Sequence, residues 1–144
     1  MKRYLTVGVF DLFHYGHLRL FKQIRSLDSH CEIIVAVQKD EFILKYKPNV
    51  KVYYNQNIRK EFLSSIKEIQ KVVFYTDVDK IVKEVDFDVF CLGEDQNHQG
   101  FMQAVKFCKS HNKEVLYLKR TQGISSTDIR TFLNNFNDDI NGGG

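Results

Sequence analysis

The chain reads as an α/β domain built on one parallel sheet, five strands in the order 3-2-1-4-5, with helices on both faces. Three observations predict this. Five short apolar runs alternate with segments whose apolar residues recur at helical spacing, which is the pattern of strand–helix–strand units with right-handed crossovers. The run Cys31-Glu32-Ile33-Ile34-Val35-Ala36-Val37 is almost continuously apolar, as expected of a strand covered on both faces. The residues richest in chemistry follow the strands rather than precede them. In such a sheet ligands bind beyond the carboxyl ends of the strands, where the strand order reverses.

The first strand is expected over 4–9. It feeds the loop Phe10-Asp11-Leu12-Phe13-His14-Tyr15-Gly16-His17. A helix over about 17–28 carries Leu18, Phe21, Ile24 and Leu27 on one stripe. After the second strand, 41–55 is the least regular stretch, holds the chain's one proline, and carries Lys45, Lys47 and Lys51. A loop this long in a small domain suggests function. A helix over about 56–67 would bury Ile58, Phe62, Leu63 and Ile66. The third strand is Lys71–Tyr75, and a short helix over 78–85 shows Ile81, Val82 and Val85. The fourth strand, 88–92, ends at Gly93-Glu94-Asp95-Gln96. A helix over 98–110 carries Phe101, Ala104, Val105 and Cys108. The fifth strand, 114–118, leads through Lys119-Arg120-Thr121-Gln122-Gly123-Ile124-Ser125-Ser126-Thr127 to a last helix over 126–135 bearing Ile129, Phe132 and Leu133.

With 144 residues the chain supports one real core, expected over 1–136, and the residues from 137 to the closing glycines suit a loose tail. The net charge of +3 is too small to argue for nucleic acid. No apolar run approaches the roughly 20 residues of a membrane span. Met1-Lys2-Arg3 leads straight into a strand, unlike a signal peptide, so a cytoplasmic protein is the simplest expectation. Cys31, Cys91 and Cys108 show neither disulfide nor zinc spacing; the last two read as small core residues.

Two loops carry chemistry. A strand-to-helix turn offers free N–H groups and the positive end of a helix dipole, a place for phosphate. His14 and His17 sit at such a turn, with Gly8 and Gly16 allowing close backbone approach. In the second loop, Ser125, Ser126 and Thr127 open a helix as caps or phosphate donors. Gly123 gives the turn, and Arg120 offers a fixed positive fork. His98 lies just beyond Gly93–Gln96, and the sequence alone assigns it no role.

Together, Gly8-Val9-Phe10-Asp11-Leu12-Phe13-His14-Tyr15-Gly16-His17 and Arg120-Thr121-Gln122-Gly123-Ile124-Ser125-Ser126-Thr127 resemble the two motifs of the nucleotidyltransferases with a His-x-Gly-His signature. They look most like the small cytidylyltransferases and, among those, the glycerol-phosphate branch. The likeness spans about 4–134. It implies attack of a phosphate monoester on the α-phosphorus of CTP, with Mg²⁺ as cofactor held mainly by the triphosphate, and a homodimer. The acceptor it implies is a small phosphorylated alcohol, best fitted by glycerol 3-phosphate.

The same likeness implies residue roles. His14, His17, Lys47 and Arg120 would be catalytic, stabilising charge on the phosphates. Val9, Phe10, Asp11, Gly16, Thr121, Ile124, Ser125, Ser126 and Thr127 would bind the nucleotide, with Gly93, Glu94 and Asp95 flanking its base and ribose. Asp11 would orient the loop or help bind the cation. Arg59, Lys67 and Lys45 would reach the acceptor. Lys67 stands where relatives usually carry arginine, and Gln96 where the glycerol-phosphate enzymes tend to have tryptophan. Adenylyltransferases of heptose phosphate and of archaeal flavin mononucleotide share the first motif, whereas the Arg-Thr-x-Gly-Ile-Ser run favours cytidine. The alternatives left are transfer to another phosphorylated polyol, amino alcohol or sugar, or a non-catalytic nucleotide sensor.

Overall fold

The computed structural model describes residues 1–142, and the side chains of residues 1–136. Its elements run β1 (Arg3–Gly8), α1 (Tyr15–Leu27), β2 (Glu32–Gln38), α2 (Asp40–Tyr46), α3 (Gln56–Ser64), β3 (Lys71–Tyr75), α4 (Val78–Glu84), β4 (Val89–Gly93), α5 (Gln99–Ser110), β5 (Glu114–Leu118) and α6 (Ser126–Gly142). The sheet is parallel, in the order β3-β2-β1-β4-β5. Alternate residues of a strand face opposite ways. Leu5, Val7, Ile34 and Ala36 therefore pack with Ile81 and Val82 of α4 and Phe101 and Ala104 of α5. Tyr4, Ile33, Val35 and Val37 pack on the other face with Phe21 and Ile24 of α1 and Leu63 of α3. Strand order reverses between β1 and β4, and α1 and α5 approach that split from opposite faces.

Several boundaries differ from the sequence expectation for identifiable reasons. Helix α1 begins two residues earlier, because the His14 ring itself caps it. The stretch expected to be irregular contains α2, a seven-residue helix in which Ile43 alone is buried. One buried position leaves no stripe to detect, although Asp40 and Glu41 suit a helix start. Leu27 is exposed, and so are Ile58 and Phe62. Helix α3 instead turns Arg59 and Leu63 inward, a face offset by about 100° from the apolar one. Phe132 and Leu133 of α6 are also exposed, so that stripe does not pack on the sheet. Helix α6 continues to Gly142; Gly143 and Gly144, the end of the expected tail, lie outside the described residues.

Arg59 explains the turn of α3. Its side chain is fully buried. Nε donates to the Tyr54 carbonyl at 3.0 Å, and Nη1 donates to the carbonyls of Val9 at 2.8 Å and Gln38 at 2.9 Å. Nη2 donates to the Asp40 carboxylate. One guanidinium thus ties the ends of β1 and β2 to the start of α2 and to the segment before α3. Contrary to the sequence expectation, Arg59 holds the walls of the site and does not face an acceptor. Replacing it with Met leaves three buried carbonyls unpartnered, and the expected loss is about 3 kcal/mol of stability, read by urea unfolding.

Candidate active site

The β1–α1 loop is wound tightly, with Phe10 and Leu12 in the left-handed region at φ 56° and 48°. It ends in a cap made by two imidazoles. His14 Nδ1 accepts the Gly16 N–H at 3.0 Å, and His17 Nδ1 accepts the His14 N–H at 3.2 Å. A backbone amide only donates, so both Nδ1 atoms are unprotonated and each neutral ring carries its proton on Nε2. The rings stack with centroids 3.8 Å apart, and His17 is packed against Phe10 and Phe13. A methyl group on Gly16 would lie 2.8 Å from His14 Cε1 and 3.3 Å from the Ile124 carbonyl oxygen. Only glycine lets the ring fold back and the β5–α6 loop close over it. Burial, and then the neighbouring His14, pushes the His17 pKa down to about 3, against an opposing pull from Asp11. Burial and then the Arg120 charge lower that of His14 as well. Both rings are neutral donors near pH 7.

Asp11 assembles the surroundings. Its carboxylate is buried and accepts from the N–H groups of Tyr53 at 2.8 Å and Tyr54 at 3.0 Å and from Arg130 Nη2 at 2.8 Å. Its carbonyl accepts from the Ser126 hydroxyl at 2.9 Å. The sequence reading missed Arg130. Its signal was the spacing, since Ser126 and Arg130 are four apart and share a helix face.

At the start of α6, Ser125 is the N-cap: its hydroxyl accepts the Asp128 N–H and donates to the Asp128 carboxylate. The Ser125 and Ser126 hydroxyls are therefore both engaged internally. What this loop presents is the pair of first-turn N–H groups of Ser126 and Thr127, which have no partner one turn back, and the Thr121 and Thr127 side chains. Across from it, Gln96 donates to the Val7 carbonyl and accepts the Gly93 N–H, joining the ends of β1 and β4. Arg120 donates to Asp95 at 2.7 Å, with both side chains exposed. The Tyr46 hydroxyl donates to the Asp77 carboxylate, fastening α2 to the start of α4.

These elements enclose a cleft of about 940 Å³ at the carboxyl edge of the sheet. His14, His17, Lys47 and Arg120 all line it, as do Val9, Phe10, Asp11 and Gly16. Gly93, Asp95, Thr121, Ile124, Ser125, Ser126 and Thr127 line it too. Four expected residues do not. Arg59 is buried behind the wall. Glu94 is exposed and outside the lining. Lys45 lies on α2 against the Phe42 and Tyr46 rings. Lys67 is exposed between α3 and β3, at the amino edge of the sheet and hence the opposite end of the domain. Lys45 follows β2 at the carboxyl edge but turns onto the rings of its own helix, whereas Lys67 precedes β3, and the element order alone puts it at the other edge.

A cleft at the split of a parallel sheet, with paired neutral imidazoles at one helix start, free amides at another, and Lys47 and Arg120 beside them, defines a nucleotidyltransferase-type site. The family is specific: the model of the cytidylyltransferase-like family matches residues 5–132, and the chain belongs to that family. It is 38% identical to the glycerol-3-phosphate cytidylyltransferase of Staphylococcus aureus over 92% of this chain and 96% of that protein. It is 31% identical to an FAD synthase of Aciduliprofundum boonei over 99% of this chain and 85% of that protein. Among solved structures, a lipopolysaccharide core biosynthesis protein from Thermoplasma volcanium superposes with a TM-score of 0.65 at 27% identity, covering 84% of this chain and 97% of the other.

The lowered pKa of His17 makes stability depend on pH. Unfolded, the ring titrates near its ordinary 6.5; folded, it does so only at about 3. The unfolded state takes up the proton first as pH falls. The His17 contribution is therefore complete above about 6.5 and is lost progressively from there toward 3. The urea midpoint is expected to drop between pH 7 and pH 4.5, and His17→Gln, whose amide oxygen keeps the cap, should flatten that drop.

Proposed function

We propose that the protein transfers CMP from CTP to glycerol 3-phosphate, releasing pyrophosphate and forming a CDP-alcohol for an envelope or capsule polymer. The observation that carries this reading is the pair of stacked neutral imidazoles whose Nδ1 atoms are both occupied as acceptors. Each ring is left with an Nε2–H donor at a helix start. A phosphate oxygen of the acceptor attacks the α-phosphorus, the bond to the bridging oxygen of the β-phosphate breaks, and negative charge grows on the departing pyrophosphate. Such a transition state needs placed donors more than a covalent nucleophile. His14 and His17 supply neutral donors, Arg120 and Lys47 supply positive charge, and the amides opening α6 receive the terminal phosphates. The likeness to the S. aureus enzyme, over nearly the whole of both chains, supports the choice of CTP and glycerol 3-phosphate.

Mg²⁺ belongs to this reading as the companion of the triphosphate. Among the described residues no group of three or more His, Cys, Asp or Glu side chains is gathered to hold a metal. The Asp11 carboxylate, considered for that role, already accepts three donors. The protein's own residues do not fit a cage for the ion. The exposed apolar face of α6, Phe132, Leu133 and Phe136, supports a homodimer. Among the described residues no helix is long and apolar enough to cross a membrane. Dependence on CTP supports a cytoplasmic enzyme.

The test is pyrophosphate release, with CTP and ATP each offered against phosphorylated alcohols and sugars and flavin mononucleotide, in the presence of Mg²⁺. Release is expected with CTP and glycerol 3-phosphate. Release only from ATP with flavin mononucleotide would instead establish the second reading, which the likeness to the archaeal FAD synthase favours. His17→Ala removes one placed donor and should lower kcat by about 10²–10³-fold, while the loss of a cap costs only about 1 kcal/mol of stability. Normal turnover in that variant would refute the assigned role.

A further inference from the structure

His98 repeats the geometry of His14 on the other face of the sheet. In His14-Tyr15-Gly16 the ring Nδ1 accepts the Gly16 N–H at 3.0 Å; in His98-Gln99-Gly100 it accepts the Gly100 N–H at 3.2 Å. The consequence is the same: Nδ1 is an acceptor, so the neutral ring carries its proton on Nε2. The fit is close here too. A methyl group on Gly100 would lie 3.1 Å from both His98 Cε1 and Val78 Cγ1. The ring is steadied edge-on against Phe101, with centroids 4.4 Å apart.

His98 lines the same cleft as His14, His17 and Lys47. It arrives from α5, whose Phe101 and Ala104 pack on the sheet face opposite to Phe21 and Ile24 of α1. Lys47 lines the same cleft, and burial and then its charge lower the His98 pKa, so the ring stays a neutral donor. In-line displacement puts the attacking oxygen and the leaving oxygen on opposite sides of the α-phosphorus. Donors from α1 and α6 occupy one side of the cleft, and the His98 donor at the start of α5 occupies the other, with Lys47 also in the lining. We propose that His98, with Lys47, binds the phosphate of the acceptor and so selects a phosphorylated substrate. This rests on the cytidylyltransferase reading and extends it to a residue that neither terminal motif contains.

The test separates the Nε2–H donor from the cap. Asparagine is among the best N-caps, so His98→Asn keeps the start of α5 and removes the long-reaching donor. The expected result is a KM for glycerol 3-phosphate raised by at least about tenfold, the loss of a hydrogen bond to a charged group, with the KM for CTP and the melting temperature unchanged. A KM for glycerol 3-phosphate within twofold of the parent protein would overturn the assignment, and so would a rise confined to CTP.

Imidazole ¹H–¹⁵N spectra recorded while glycerol 3-phosphate is titrated into the parent protein, alone and with CDP bound, give a readout independent of turnover. The His98 ring resonances are expected to move, and the same titration of His98→Asn should bind more weakly. If the parent protein releases no pyrophosphate, the proposed function fails, while a moving His98 resonance upholds phosphate binding. A resonance that stays in place under both conditions overturns it.

Discussion

The site depends on the buried carboxylate of Asp11. A charge taken out of water must be met by donors, and the donors it recruits come from segments remote in sequence. The N–H groups of Tyr53 and Tyr54 bring in the connection before α3, and Arg130 brings in α6. The carbonyl of the same residue holds Ser126. Arg59 performs the mirror task from below, a buried cation satisfied by the carbonyls at the ends of β1 and β2 and by Asp40. The walls of the cleft are thus joined by two opposite charges, Asp11 neutralised by partners from two segments and Arg59 by partners from four. Partial satisfaction of such a network costs more than an apolar substitute, which is why its members come as a set.

Within that frame the histidines act as oriented dipoles. Because the Nδ1 atoms are occupied by backbone amides, tautomer and ring direction are set by the main chain before any ligand arrives. Burial then keeps the rings uncharged. A cation held at the same place would bind ground-state phosphates strongly; a fixed neutral donor gains most when charge develops on the leaving oxygens. Formal positive charge is left to Arg120 and Lys47 at the more exposed rim, where desolvation costs less. The Arg120–Asp95 pair, exposed on both sides, is weak enough to exchange its carboxylate for a phosphate.

The sequence by itself determined the sheet, its strand order and the two loops that carry the motifs, because strand runs and helix starts are local patterns. Its readings fell short where a side chain's role is settled by partners far along the chain. Arg59 looks like an acceptor ligand until three carbonyls close on it. Asp11 looks like a metal ligand until its oxygens are counted against Tyr53, Tyr54 and Arg130. Ser125 and Ser126 look like phosphate donors until Asp128 and the Asp11 carbonyl engage their hydroxyls. Lys45 looks like an acceptor ligand until it turns onto the Phe42 and Tyr46 rings of its own helix. Helix α2 and the exposed stripes of α3 and α6 follow the same rule, since periodicity records which residues are apolar, and only packing decides which of them are covered. Chemistry is written locally in this chain, whereas burial and hydrogen-bond partners arise from contacts between segments that meet only after the sheet has formed.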